Sequence, residues 1–331
     1  MTDRLPGQER GERSGPDTGR AADSRHYPHP GKWSSLNVMQ DQPLVIPANL
    51  ASAAVDQPDL QRWFAGLADT IAGLCDRWAL TPAAPFEPGG TCSWVAPVLR
   101  RPREPFVLKV TWPHAESRDE ARGLRTWNGH GAVRLHDEEH LGATTAMLLE
   151  RCVPGTPAGE LLSDHEQDDV LGSLLPRLWA QPVNAQDFRP LSDMCDEWAD
   201  EFEALLLDAP AHLDSTLAAD GIATFRGLAR DGTDDVLLCT DLHAGNILAS
   251  EREPWLVVDP KPYVGDRTYD ALQHMFNCWP RLSQDPLGLV ERLASVLDLD
   301  RSRLQAWLFS RCVVLSLDWP ALNPIALLVA P

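Results

Sequence analysis

Apolar residues recur at helical spacing from Leu60 to about Leu80, with Leu60, Trp63, Phe64, Leu67, Ile71 and Leu74 along one face, which predicts an amphipathic helix. The rhythm then shortens. The runs SWVAPVL (93–99), PFVLKV (105–110), AVRLH (132–136) and TTAMLLE (144–150), separated by turn-rich EPGG and RPRE, read as strands. A helix over roughly 115–128 falls between the second and third run. Beyond Pro154-Gly155 the pattern is helical over roughly 165–181, 193–208, 211–230, 268–279, 285–298 and 301–317. Only two short apolar strands, DVLL (235–238) and WLVV (255–258), interrupt it, and no internal repeat is visible. The chain is expected to hold a sheet-rich N-lobe joined near 150–155 to a helix-rich C-lobe, and ligands favour such inter-lobe clefts.

Residues 1–38 hold almost no Ile, Val, Leu or Phe, too little apolar surface to offset the entropy of ordering, so a disordered extension is expected there. Met39 follows directly, which opens the alternative that the extension is a start-site artefact. The length of 331 residues fits roughly two domains or lobes, and 44% hydrophobic with 23% charged residues is the balance of a folded chain.

Seven cysteines, odd in number, scattered and never in a C-x-x-C pair, argue against a disulfide framework and a zinc knuckle and for a reducing cytoplasm. The first thirty residues lack an apolar core segment, and the greasy IALLVAP near the C-terminus is too short to span a bilayer, so neither secretion nor membrane insertion is indicated. A formal charge of -19 argues against a nucleic-acid partner, which demands basic patches. An acidic surface suits a cationic small molecule, although the same balance serves solubility.

The chemistry-bearing stretch is CTDLHAGN (239–246), set between the two C-lobe strands. Asp241 and Asn246 have the spacing of the protein-kinase catalytic loop H-R-D-x-x-x-x-N. Phosphoryl transfer needs a carboxylate beside the attacking hydroxyl and oxygen ligands for a hard cation, roles that Asp241 and Asn246 fit. Asp259, at the tip of WLVV, is a second candidate metal ligand, with a plain Asp-Pro turn as the alternative. Lys109 lies inside an apolar strand, where alternation puts it with Val107 on one face and Phe106, Leu108 and Val110 on the other. A lysine there needs a partner unless it merely guards a sheet edge. Glu116, Glu120, Leu124 and Trp127 share a helix face, which makes Glu120 the favoured partner and Glu116 the reserve.

The segment EPGGTCSWV brings Gly89, Gly90, Thr91 and Ser93 to a turn whose amides could cradle phosphates, though it lacks G-x-G-x-x-G and reads equally as a hairpin turn. Glu150 and Cys152, in the inter-lobe connection, are candidates for backbone contact with an adenine ring. His243 is favoured to shape the loop or touch phosphate, with metal ligation as in a hydrolase the weaker reading. Cys239 reads as a small hydrophobe. The acidic stretch 192–210 is either a negative wall for a cation or a solvated helix with Met194, Trp198, Phe202 and Leu205 on its buried side.

With these residues placed, the chain resembles the aminoglycoside phosphotransferase superfamily, and within it the aminoglycoside/hydroxyurea antibiotic-resistance kinase group. LVIPANLA, PGGTCSWVAPV, LKVTWPHAESRDEARGLRTW, TDLHAGNIL, EPWLVVDPKPYVGDRTYD and QHMFNC carry the likeness over residues 44 to about 317. The resemblance implies an α+β, protein-kinase-like fold, with a small antiparallel-sheet N-lobe over 39–152 that binds nucleotide and a helical C-lobe over 153–331 that holds the catalytic loop and acceptor site. It further implies ATP between the lobes, Mg²⁺ on Asn246 and Asp259, Lys109 on the phosphates with Glu120 behind it, and Asp241 as base at a small-molecule hydroxyl. The acceptor is expected to be cationic, plausibly an aminoglycoside such as streptomycin, with hydroxyurea or another small metabolite as the alternative and an inactive ATP-binding protein as the rival. A monomer or weak dimer is expected.

Asp266 and Asp270 are expected to brace the catalytic loop. Two departures stand out: Cys239-Thr240-Asp241 replaces the usual H-G-D, removing a bracing histidine, and Asp259-Pro260-Lys261 replaces D-F-G.

Overall fold

The computed structural model describes residues 44–55, 57–142, 144–208, 213–232 and 235–331. The extension expected over 1–38 lies outside them. α1 (Ala48–Ala54) and α2 (Pro58–Arg77) come first. Pro58 stands at a helix start, where its missing N–H costs nothing, and α2 buries Leu60, Leu67, Ile71 and Leu74. β1 (Leu80–Pro82), β2 (Ser93–Arg100) and β3 (Glu104–Thr111) follow, then a 3-10 turn (Ala115–Asp119), α3 (Glu120–Trp127), β4 (Leu135–Leu141) and β5 (Thr144–Glu150). The strands form one antiparallel sheet in the order β1-β2-β3-β5-β4.

Alternation along β3 divides its residues as the pattern predicts. Phe106, Leu108 and Val110 pack with the apolar face of α2, whereas Val107 meets the core that holds Leu124, Met147 and Leu149. That second core is continuous with the helical half of the molecule, so the hydrophobic division runs along the plane of the sheet and α3 packs with the helices. Gly123 of α3 lies so close to Pro262 that a Cβ there would collide with the ring.

The strand expected over 132–136 starts only at Leu135 and runs to Leu141. Its apolar entry has another use: Val133 N–H donates to Val257 O at 3.0 Å and Val257 N–H to Gly131 O at 2.9 Å, tying this segment to the helical lobe. The polar HDEEH stretch forms the edge strand instead, where a charged, half-exposed face is tolerated.

The helical half contains β6 (Pro154–Pro157), α4 (Ala158–Leu161), α5 (Asp164–Trp179), α6 (Leu191–Asp208), α7 (Ser215–Leu228), β7 (Asp235–Leu238), β8 (Ile247–Ser250), β9 (Trp255–Val257), β10 (Tyr263–Asp266), α8 (Leu272–Asn277), α9 (Trp279–Gln284), α10 (Pro286–Leu297), α11 (Arg301–Val314) and α12 (Asn323–Val329). A capping box between Ser163 and Glu166 starts α5. Where two strands were expected, the described residues form five, arranged as β6-β8-β9 and β10-β7. The extra three, PGTP, ILAS and YVGD, lack the run of three large apolar residues that marks DVLL and WLVV.

α6 buries Met194 and Phe202 as expected, but Leu205 stands 42% exposed. No helix among the described residues is long and apolar enough to cross a membrane. All seven cysteines are free.

Arg252 joins the halves. Its guanidinium holds both oxygens of Glu150 at 2.7 and 2.9 Å and donates to the carbonyls of Gly129 at 2.7 Å and Ala132 at 2.9 Å. Arg252→Ala leaves a mostly buried carboxylate and two carbonyls without these donors and should cost roughly 2–3 kcal/mol in urea unfolding, read as a lower midpoint at unchanged slope. Arg252→Lys keeps the charge, loses the fork and should recover less than half of that stability.

Candidate active site

β7 and β10 run antiparallel, and the chain leaving β7 enters the loop 239–246. Asp270 fixes its start. That carboxylate, 0% exposed, accepts from Cys239 N–H at 3.0 Å, Thr240 N–H at 2.7 Å and Trp179 Nε1–H at 2.8 Å. Burial pushes its pKa up to about 6 even though these donors favour the charged form. Thr240 has φ +46, a left-handed conformation that costs a β-branched residue of order 1–3 kcal/mol. It is held there by the Asp270 bond and by its own hydroxyl donating to Lys261 O at 2.6 Å.

The strained turn presents Asp241, whose pKa burial raises to about 6, with Lys261 opposing. Asn246 donates through Nδ2 to Asp241 O at 3.0 Å, which orients its amide and leaves the side-chain oxygen as acceptor. His243 Nδ1 accepts from Gly245 N–H at 3.1 Å. Burial, and then His274, lowers the His243 pKa to about 4, so the imidazole is a neutral acceptor that shapes the loop.

Lys109 and Glu120 meet as the helix face predicts. Lys109 Nζ lies 2.7 Å from both oxygens of Glu120 and 2.6 Å from Asp259 Oδ1, a contact that spans the cleft. Burial alone would lower the pKa of Lys109, but Asp259 and Glu120 outweigh it and keep the ammonium charged. Burial raises Glu120 above the ordinary carboxylate range against the pull of Lys109. For Asp259 the surrounding protein would raise the pKa, and Lys109 and Lys261 overcome that and bring it to about 2. The Asp259 side chain is 52% exposed, so it opens to the cleft while Lys109 does not.

Glu116, the reserve partner for Lys109, has another lysine. Lys261 Nζ lies 2.9 Å from Glu116 Oε2 and 3.2 Å from Asp241 Oδ2. The two acids one helical turn apart thus each reach, through a lysine, one aspartate of the helical lobe. Lys261 carried no role in the sequence reading, where Asp259-Pro260-Lys261 registered only as a lost phenylalanine; the signal was a second lysine in an apolar context two positions from a candidate ligand.

The other expected nucleotide contacts are placed differently. Gly89 adopts φ +73 against Pro47, and its carbonyl accepts from Asn49 Nδ2 at 2.8 Å, so α1 pins this turn. Gly90 has open space around its Cα and Thr91 is exposed, whereas the Ser93 hydroxyl donates to Thr111 Oγ1 at 3.0 Å inside the sheet. The carboxylate of Glu150 is taken by Arg252, and its N–H donates to Arg134 O at 2.8 Å. Cys152 is buried, which pushes its thiol up to about 12.

Asp266 accepts from Arg303 Nε–H and Trp307 Nε1–H, both at 2.6 Å, and caps Thr268, consistent with a purely supporting place. Below the loop, Asp168 (0% exposed) receives His274 Nε2 at 3.1 Å, a bidentate Arg281 at 2.9 Å and Arg292 Nε at 3.2 Å.

A carboxylate on a strained loop, an adjacent amide, and a lysine–glutamate pair reaching a second aspartate across a cleft between a five-stranded sheet and a helical lobe define a protein-kinase-like phosphotransferase. A solved structure of spectinomycin phosphotransferase with ADP and spectinomycin is similar in fold, with a TM-score of 0.50 and 13% identity over 78% of this chain and 88% of that one. The family model for aminoglycoside/hydroxyurea antibiotic resistance kinases matches residues 77–321. The chain belongs to that family. It is 36% identical over 286 residues to streptomycin 6-kinase of Streptomyces glaucescens, covering 82% of this chain and 90% of that protein. It is also 34% identical over 256 residues to hydroxyurea phosphotransferase of Kitasatospora aureofaciens, covering 75% and 72%. The protein is an ATP-dependent phosphotransferase that acts on a hydroxyl of a small molecule.

Burial would lower the pKa of His274, but Asp168 and Cys278 raise it to about 9. A histidine raised from its unfolded value near 6.5 contributes stability that is complete below that pH and lost as pH climbs through 9. The urea midpoint should therefore fall between pH 7 and 9.5, by roughly 1–3 kcal/mol in unfolding free energy, and His274→Gln should flatten that slope.

Proposed function

We propose that this chain transfers the γ-phosphoryl group of ATP to a hydroxyl of a cationic aminoglycoside, with the 6-hydroxyl of streptomycin as the leading acceptor. The observation that carries the reading is the convergence of Lys109, Glu120, Asp259 and Asp241 on one cleft in a chain 36% identical to streptomycin 6-kinase. Asp241 is the proposed base. Its pKa near 6 leaves it ionised at neutral pH yet basic enough to accept the hydroxyl proton as the new O–P bond forms. Lys109, positioned by Glu120, holds the phosphates of the nucleotide, with the open turn at Gly90 and Thr91 close enough in the sheet order to cover them and Gly89 fixing that turn.

Asn246 and Asp259 fit a hard divalent cation. The Asn246 side-chain oxygen is oriented by the bond its amide makes, and Asp259 stays ionised and open to the cleft. With two protein oxygens as ligands, such a cation would complete its shell with phosphate oxygens and water, as Mg²⁺ accompanying a nucleotide does. Mg²⁺ would supply charge neutralisation on those oxygens.

The acidic face of α6 contributes less to a cationic acceptor than its composition suggests. Arg226 and Arg230 of the neighbouring α7 region engage Asp196, Asp200 and Glu203. Glu197 remains exposed, whereas Glu116 is paired with Lys261 and the buried Asp119 with Arg122 and Arg189. The exposed carboxylate of Glu197 is the proposed contact for a positively charged substrate.

Protein incubated with MgATP and a panel of streptomycin, other aminoglycosides and hydroxyurea should release ADP with streptomycin and add one phosphate to its mass. ADP release with hydroxyurea alone would replace the proposed acceptor. Asp241→Asn should lower kcat at least about 10³-fold while ATP affinity stays within a few-fold; retained turnover would remove Asp241 as the base.

A further inference from the structure

We infer that Lys261 is a further catalytic residue, one whose ammonium contacts the transferring phosphoryl group. The inference rests on Asp241 being the proposed base, because that assignment locates the reaction. The acceptor oxygen must lie within hydrogen-bond reach of the Asp241 carboxylate when its proton leaves. Lys261 Nζ is 3.2 Å from that same carboxylate, so the phosphorus arriving on the acceptor oxygen comes within reach of the ammonium.

The backbone fixes this lysine from both sides. Lys261 N–H donates to Cys239 O at 2.9 Å, and Lys261 O accepts the Thr240 hydroxyl at 2.6 Å. Pro260 is buried immediately before it. Glu116 Oε2 holds the ammonium at 2.9 Å. The side chain is only 20% exposed, and its charge acts on Asp259 and Glu120 as well as on Asp241. A cation fixed in advance beside the place where charge moves requires no reorganisation during the reaction, which is what gives such groups their effect.

In the step itself, the bond from the acceptor oxygen to the γ-phosphorus forms as the bond from that phosphorus to the β–γ bridging oxygen breaks. The bonding pair leaves with ADP, and the hydroxyl proton passes to Asp241. Lys261 neutralises the equatorial oxygens of the phosphoryl in transit and keeps Asp241 from repelling them. A lysine that only tied the helix to the loop would serve the ground state and the transition state alike.

Lys261→Met and Lys261→Arg separate these roles. For Lys261→Met, kcat should fall about 10²–10³-fold while acceptor KM and MgADP affinity stay within about threefold, and Lys261→Arg should regain at least about tenfold over Met. Thermal melting of each variant establishes that it is folded. A second measurement needs no acceptor: aluminium fluoride, a mimic of the transferring phosphoryl, should tighten MgADP binding to the wild type, and Lys261→Met should lose that gain while Asp241→Asn keeps it. A kcat within threefold of wild type in Lys261→Met, a loss confined to nucleotide affinity, or a fluoride gain unchanged or absent in both proteins would overturn the inference. Failure of Asp241 as base shows separately, as turnover retained in Asp241→Asn.

Discussion

A lysine 6% exposed in the middle of a sheet obliges the rest of the molecule to come to it. Removing an ammonium group from water costs several kcal/mol unless charge and hydrogen bonds replace the lost hydration. Lys109 meets that cost with Glu120 at 2.7 Å and Asp259 at 2.6 Å. Glu120 can reach it only if α3 lies on the inner face of the sheet, and Asp259 only if the end of β9 approaches the same face. The packing agrees with both demands: Gly123 lets α3 approach Pro262 closely, and the segment 131–133 bonds directly to Val257. Placement of the ion triad and closure of the two lobes are thus one constraint.

The second bridge, Glu116–Lys261–Asp241, repeats the first from the neighbouring turn. Together two lysines face four carboxyl groups, and the cleft is short of positive charge. Burial is the main cause of the raised pKa values of Asp241 and Glu120, and in both the nearby Asp259 adds to it while a lysine opposes. The proposed nucleotide with its divalent cation would answer the deficit, whereas a free anionic nucleotide would meet Asp259 and Asp241 unshielded. The surplus of carboxyl groups is thus an electrostatic reason behind the proposal that the nucleotide binds with a divalent cation.

The parts legible in the sequence were those with a long period or a fixed spacing. α2, β3 and β5 could be read from apolar recurrence, and the pairing of the buried Lys109 with Glu120 from their chemical types at their positions. β6, β8 and β10 are not legible because none carries the run of three large apolar residues that marks DVLL and WLVV, and β4 starts later than its apolar residues suggest because those bond to the other lobe. At the site, what escaped notice was long-range pairing: nothing local says that Glu150 is committed to Arg252, or that Lys261 finds Glu116 far away along the chain. Departures from a familiar motif were the most informative local signal.

The replacement of H-G-D by Cys239-Thr240-Asp241 illustrates why. Glycine tolerates a left-handed turn and threonine resists it, yet Thr240 sits at φ +46. Its hydroxyl gives something glycine cannot, a bond to Lys261 O that ties the start of the loop to the segment carrying Asp259 and Lys261. Bracing of the loop does not depend on a histidine, because Asp270 binds two successive amides and is itself held by Trp179 from α5. Cys239, buried with its thiol pKa well above the usual value by loss of solvent, only fills the end of β7. The unusual flank therefore moves the brace from a side chain before Asp241 to the loop's own backbone, and the strain in Thr240 is offset by the contact that keeps both aspartates of the cleft in register.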